Sequence, residues 1–318
     1  TVSYTNLLPG REYTVSGTLM DKGTGKAVLA DGKEITAATT FTPEKSEGSV
    51  DVIFTFDASV VAPKTVVAFE TLTYKKIRIA VHADIEDKDQ MVYIPTIRTS
   101  AKDNVTGINH TEADKEVTIT DTVTYKGLEV GREYTVSGTL MNQRTGAKIL
   151  VNGKPVTAST TFTAEKKEGS VEVVFAFDAS ALEGTTTVVY EKLYTENKEV
   201  AAHTDINDKG QTIYIPKVRT TAIADDTKDH VTEAKKDVTI VDTVSYEGLE
   251  VGREYTAKGV LMNKATGKAI TVNGKEVTAE STFTAKAQKG TVDVTFKFDG
   301  SALEDTMIVV FETLYTEG

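Results

Sequence analysis

The sequence predicts an all-β protein made of tandem two-sheet sandwiches, and three observations carry that expectation. The segment GREYTVSGTLM at Gly10 to Met20 returns at Gly131 to Met141, and as GREYTAKGVLM at Gly252 to Met262, each time 121 residues further on. Apolar residues alternate along short stretches, as half-buried strands require; Val50, Val52, Phe54 and Phe56 recur as Val171, Val173, Phe175, Phe177 and as Val292, Val294, Phe296, Phe298. No segment sustains a helical period. A long repeat with no insertion or deletion points to duplication of a whole domain and not to a solenoid of short units. Eight or so strands in about 120 residues suits a sandwich of immunoglobulin-like size.

Taken in chain order, each copy has the same grammar. Asp31-Gly32, Asn152-Gly153 and Asn273-Gly274 lie between short β-rich runs, as two-residue hairpins with positive φ prefer. Boundaries are expected just after Pro95 and Pro216, where a proline closes one copy and a new β run begins (Thr96 to Thr99; Lys217 to Thr220). The units are thus 1–95, 96–216 and 217–318. On this phasing the first unit opens at the position equivalent to Thr122 and lacks its first strand. The third stops at the equivalent of Asn197 and lacks its last, so only the middle unit is expected to be complete.

Composition removes several function classes. Lys and Arg number 36 against 47 Asp and Glu, a net charge of -11, and no basic cluster offers a phosphate-tracking surface, so no nucleic acid partner is expected. With no cysteine there is no disulfide framework, thiolate metal site or thiol nucleophile. Apolar runs are far too short for membrane insertion. The segment Asp205 to Gly210 resembles the start of a calcium loop, but Lys209 occupies a ligand position and Asp89 stands where Gly210 does, so neither metal nor cofactor is expected. A hydrolase would need a serine elbow or a metal-ligand cluster, and neither occurs.

Side-chain parity then singles out polar residues on apolar strand faces. Asp121 shares a face with Val117, Ile119, Val123 and Tyr125, and Asp242 holds the same place in the third copy. Glu191 lies with Val189 and Leu193, Glu312 with Val310 and Leu314, and Glu70 with Ala68 and Leu72. Thr99 and Thr220 face inward with their apolar neighbours, as do Gln211 and Gln90, placed on the closing strand with Ile213 and Ile215 or Val92 and Ile94. Single Thr or Gln residues of this kind are commonly hydrogen-bonded filler, and a bulge can break the parity of an acid. Two buried carboxylates are costly unless paired or neutral, and such clusters tend to have chemistry attached.

The same residues carry a family resemblance. DTVTY, the GREYTVSGTLM strand, the F-x-F-D strand, VAFE (VVYE and VVFE in the later copies) and H-x7-Q together resemble the Thr-Gln ester-bond domains, or VaFE repeats, of Gram-positive surface adhesins. The resemblance spans essentially the whole chain. It implies that a Thr on the first strand attacks the side-chain carboxamide of a Gln on the last strand, releasing ammonia and leaving an intramolecular ester. By motif, Thr99 and Gln211 are the cross-linking pair, Asp121 and Glu191 the buried acids and His203 the base. Tyr190 replaces the usual Phe before that Glu. Partial sets remain elsewhere: Glu70, His82 and Gln90 in the first copy, Thr220, Asp242 and Glu312 in the third.

The resemblance further implies a stalk of a secreted, cell-wall-anchored adhesin, whose host-surface ligand is bound by a part of the protein outside this sequence. Neighbouring repeats of the same chain are the remaining partners. The reaction happens once per domain, so the chain is not a turnover enzyme. The rival reading is a plain β-sandwich array that binds a host protein or glycan, with the buried polar residues serving only as hydrogen-bonding groups. Near-identical copies favour the spacer, because no copy's loops stand out as a dedicated site.

Overall fold

The computed structural model describes residues 1–317, and its middle repeat displays the architecture in full. Its strands are β1 (Thr96–Asp103), β2 (Val117–Lys126), β3 (Glu133–Asn142), β4 (Leu150–Val151), β5 (Lys154–Pro155), β6 (Thr157–Thr163), β7 (Glu168–Phe177), β8 (Thr185–Thr195), β9 (Lys198–His203) and β10 (Thr212–Ile215). One sheet has the order β1-β2-β7; the other runs β6-β3-β8-β9, with β10 also paired to β8, and β4-β5 is a separate hairpin. All ladders are antiparallel. Among the described residues no helix is long and apolar enough to cross a membrane.

Alternation decides which face of each strand turns inward. Along β2 buried and more exposed residues alternate without a break, and Ile119 and Val123 meet Val173 and Phe175 of β7 on one side of the core. Val136 and Leu140 of β3 with Val189 and Leu193 of β8 form the facing layer. Asn152-Gly153 joins β4 to β5 with φ of 51° and 74°, the mirror-image turn that the strand twist favours; Asp31-Gly32 and Asn273-Gly274 do the same in the other copies.

The edge of β8 is shared by two strands, and this positions the functional site. β10 pairs with it over Thr185 to Val188, and β9 over Glu191 to Thr195. A 3-10 turn, Lys209–Gln211, leads into β10 at the break between the two. β1 pairs only with β2, and its other side lies against β9, the turn and β10. The first and last segments of the repeat therefore meet where the two sheets come together. The excursion between β1 and β2 covers the outer edge of β10, exchanging backbone bonds from Tyr214 N to Asn109 O (2.9 Å) and from Thr111 N to Tyr214 O (3.0 Å).

The flanking repeats deviate where a neighbouring strand is missing. Residues 51–57, expected to be a strand, form no ladder beyond Val50 in the first repeat, whereas Glu168–Phe177 and Gly290–Phe298 pair along their length. The strand that would supply their hydrogen bonds, equivalent to β2 up to Asp121, is not in the first repeat. Likewise Thr220, expected to face an apolar interior, is exposed because no closing segment lies over it.

Gly138 marks a close approach in the core of the middle repeat. It faces Glu191 across the β3-β8 ladder, and a Cβ there would lie 2.5 Å from Glu191 Oε1 and collide with Cζ of Phe175. A ring from one sheet and an acid from the other thus occupy the space a side chain would need. Gly138→Ala is expected to destabilise the middle repeat by about 1–3 kcal/mol through overpacking. Faster hydrogen exchange at the Val136 and Leu140 amides, measured in a Thr99→Ala background, checks this.

Candidate functional site

Three neighbouring strands bring the two acids together. In the β1-β2 ladder Ala101 pairs with Asp121 and Thr99 with Val123, so Thr99 and Asp121 are diagonal neighbours on the inward face. Glu191 reaches the same point from the opposite sheet, where it pairs with Gly138 on one side and His203 on the other. Asp121 and Glu191 are fully buried and lie within hydrogen-bond reach of each other.

No N–H or O–H of another residue forms a hydrogen bond to either carboxyl group, and Gln211 Oε1 is also buried without a donor. The Thr99 hydroxyl and the Ser100 amide lie close enough to Asp121 to favour its carboxylate. Neither meets the geometry of a formed hydrogen bond. Burial raises the pKa of both acids, and the charge of Asp121 beside Glu191 raises the latter further, to about 10. A proton held between the two carboxyls supplies the donor that the surroundings lack. At neutral pH Glu191 keeps its proton, so the pair is not two anions.

The reactive candidates converge above this pair. Gln211 Nε2 donates a hydrogen bond to Thr99 Oγ1, across 112 residues of sequence. Gln211 is fully buried and Thr99 partly so. The expectation that Gln211 lies on the closing strand needs correction: it is the last residue of the 3-10 turn, and Gln90 has the equivalent place in Lys88–Gln90. The turn lets the carboxamide enter the gap in the β8 edge instead of alternating with Ile213. His203 ends β9 with its side chain 20% exposed, so the imidazole sits at the rim while the carboxamide lies inside.

Asp208 is a member of the site that parity could not reveal, since it lies in a loop. Its Oδ2 is 2.6 Å from His203 Nε2, and its Oδ1 accepts from Gly210 N at 2.7 Å to cap the turn. The available signal was an Asp three residues before the Gln, which reads as an ordinary turn residue. Asp205 likewise accepts from Asn207 N, so both carboxylates of the calcium-like segment are engaged in local turns. Among the described residues no cluster of three or more His, Asp or Glu is arranged to hold a metal ion.

The flanking sets are incomplete. In the third repeat Asp242 is fully buried and Glu312 half-buried, again without hydrogen-bond donors; burial and the neighbouring Asp242 charge raise Glu312 to about 8. In the first, Glu70 is buried and raised by desolvation, while His82 is 50% exposed on its side chain and bonded to Asp87.

A family model for the T-Q ester bond containing domain matches residues 1–94, 95–215 and 216–318. The chain belongs to that family. Three repeats of the T-Q domain therefore account for it from end to end. Among solved structures, an adhesin of Mobiluncus mulieris, described as containing intramolecular disulfide, isopeptide and ester bond cross-links, is 18% identical, with 63% of this chain and 76% of that one covered and a TM-score of 0.35. The major pilin subunit of Bacillus cereus is 12% identical, covering 94% and 83%, with a TM-score of 0.27. A family 2 glycosyl hydrolase of Bacteroides cellulosilyticus is 10% identical over 68% and 26%, at 0.29. No curated protein matches the chain.

The acid pair gives the domain a pH signature. Glu191 is protonated in the fold at pH values where the unfolded chain has lost that proton, so its contribution is fully present below the ordinary carboxylate range and declines as pH rises to about 10. Urea unfolding of the Thr99→Ala chain should show stability falling over this interval. Glu191→Gln in that background should flatten the decline.

Proposed function

We propose that the middle repeat staples itself by an ester between Thr99 and Gln211, and that the chain is a structural shaft segment of a bacterial surface adhesin with units 1–95, 96–216 and 217–318. The observation that carries the reading is the direct contact of the Thr99 hydroxyl with the Gln211 carboxamide in a buried site beside two acids. Membership of the T-Q domain family supports it independently.

The proposed chemistry balances without a co-reactant. Thr99 Oγ1 attacks Cδ of Gln211; the hydroxyl proton passes through His203 to the departing nitrogen; the C–N bond breaks and ammonia leaves. One C–O bond replaces one C–N bond. A neutral hydroxyl needs a base to become a competent nucleophile, which is the role of the imidazole. An amide needs help as its oxygen gains charge, and the protonated member of the acid pair is the donor available to the unpartnered Gln211 Oε1. The dry interior keeps that acid protonated and shields the product from water. The event occurs once per domain, so it is maturation and not turnover.

Closing a loop of 112 residues restricts the unfolded chain by about 4–5 kcal/mol, by analogy with disulfides. An ester does this in a chain with no cysteine, beyond the reach of any reductant. The half sets Glu70, His82, Gln90 and Thr220, Asp242, Glu312 belong to the same scheme but lack their counterparts in this sequence. In this reading the array stands at the cell-wall-anchored exterior of a Gram-positive bacterium.

Intact mass of the chain folded at neutral pH should be lower than the sequence mass by one ammonia, and Thr99→Ala or Gln211→Ala should restore the full mass. An unmodified mass in the parent chain would instead favour an uncrosslinked binding array. His203→Ala should slow the loss by roughly a hundredfold or more while leaving the fold intact.

A further inference from the structure

His110 joins two repeats, and no step of the ester chemistry uses it. It stands on the excursion between β1 and β2, is 5% exposed, and stacks on Tyr214 of β10 with ring centroids 4.9 Å apart. Tyr255, from the strand Glu254–Asn263 of the third repeat, meets it edge-on and places its Oη 2.8 Å from His110 Nε2. Both tyrosines are buried. The middle repeat thus buries an imidazole against a phenol of the next one.

The bonds around the ring determine where its proton lies. Tyr255 Oη already accepts from Glu250 N at 2.9 Å, so its O–H is left to donate, and the imidazole nitrogen in front of it is the acceptor. At the other side Nδ1 lies 3.0 Å from Asn109 Oδ1, an oxygen that only accepts. A neutral ring with its proton on Nδ1 satisfies both contacts. A second proton, on Nε2, takes away the acceptor of the Tyr255 hydroxyl and encloses a cation beside Arg253. Arg253 itself is paired with Glu250 at 3.2 Å, and Glu112, Asp114, Glu183 and Glu312 line the open hollow next to the ring without bonding to it.

We propose that the His110–Tyr255 contact is an acid-released latch between the middle and third repeats, holding them in one orientation while the ring is neutral and freeing the joint when the ring is protonated. The proposal goes beyond the ester reading and does not depend on whether Thr99 and Gln211 are joined. It does need β10 in place, since His110 bridges to Tyr214 and Tyr214 N donates to Asn109 O at 2.9 Å. The latch belongs to this joint: the one before it has the equivalent tyrosines, Tyr93 and Tyr134, and the pair Arg132–Glu129, but no histidine between them, and Val231 stands in the third copy where His110 does in the second.

Burial, and after it the Arg253 charge, hold the ring below the usual imidazole range, to about 4. The closed joint therefore binds a proton more weakly than the open one. Closure is strongest above the ordinary imidazole range and weakens as pH falls toward about 4. Two other contacts cross the joint. Gln288 Nε2 donates to Gln143 Oε1 at 3.2 Å and does not titrate, whereas Glu183 faces Lys217 and Arg219 at 3.7 and 3.9 Å and does.

His110→Val separates the latch from that carboxylate. With no other cysteine in the chain, Lys154→Cys and Lys275→Cys place spin labels on exposed hairpins of the middle and third repeats. The distance distribution between them should be narrow at neutral pH and at least about twofold broader near pH 4. His110→Val should be broad at both pH values, and so should Tyr255→Phe, which keeps the ring and removes the hydroxyl. Labels at Lys33→Cys and Lys154→Cys, across the joint without a histidine, should give one width at both, which separates release of the latch from acid unfolding. In the unlabelled chain, imidazole nitrogen shifts of His110 should show the proton on Nδ1 at neutral pH. A parent width that ignores pH, a narrow distribution in His110→Val, acid broadening that persists in His110→Val, or a proton on Nε2 at neutral pH would each overturn the proposal.

Discussion

Burial of two carboxyl groups against each other is the constraint around which the T-Q repeat is arranged. Moving one ionised carboxylate into an apolar core costs several kcal/mol, and a second anion beside it costs more. Asp121 and Glu191 escape most of this by sharing a proton, and that solution works only where water stays out. Gly138 is the steric counterpart: it leaves room for Glu191 and Phe175 to meet in the middle of the sandwich. The dryness that raises the acids also protects an ester. A single feature of the core would thus serve both the proposed reaction and its product.

The three repeats show which parts of the site are built by which strands. The acid pair persists in the third repeat, with Asp242 fully buried and Glu312 half-buried, although the closing segment is missing there. β2, β3 and β8 therefore suffice to assemble the acids. Thr99, His203 and Gln211, the proposed nucleophile, base and electrophile, come instead from the extremities of the repeat, β1 at one end and β9 with its turn at the other. The reactive atoms can meet only when the last segment docks on the β8 edge. That order ties the chemistry to completion of the fold: a partly folded repeat holds the acids but has nothing to join.

Much of this was legible in the sequence, for reasons that differ by residue. Strict alternation along Val117 to Tyr125 and along Val189 to Leu193 exposed Asp121 and Glu191, because a strand's period of two makes an inward acid conspicuous. Gln211 was found as a residue but misplaced as an element, since parity counted back from Ile213 and Ile215 continues the strand through what is a 3-10 turn. Asp208 was missed because loops have no parity and an Asp in a turn is commonplace. His110 left no repetition to notice, as Val231 holds the equivalent place. In the structure it is buried between the middle and third repeats, stacked on Tyr214 with ring centroids 4.9 Å apart and 2.8 Å from Tyr255 Oη. Burial holds its pKa down to about 4, so it is neutral at the joint.

The positions of the cross-linking residues also determine how a stapled array meets tension. With the proposed ester in place, force entering along β1 would leave the backbone at Thr99, cross the ester and rejoin it at Gln211, so the residues between them would be off the loaded path. From Gln211 the path continues to Thr220 of the next repeat, nine residues further, as it does from Gln90 to Thr99. Most of that link is already extended strand, Thr212–Ile215 followed by Lys217–Ala224, with Pro216 between them. At about 3.3 Å per residue it spans roughly 30 Å and has little slack to release. The non-covalent contacts at the joint, His110 with Tyr255 among them, govern bending between repeats, while length is governed by covalent bonds. In the proposed stapled repeat, resistance to stretching would therefore depend on strand geometry and two side chains, and hardly on the stability of the sandwich that encloses them.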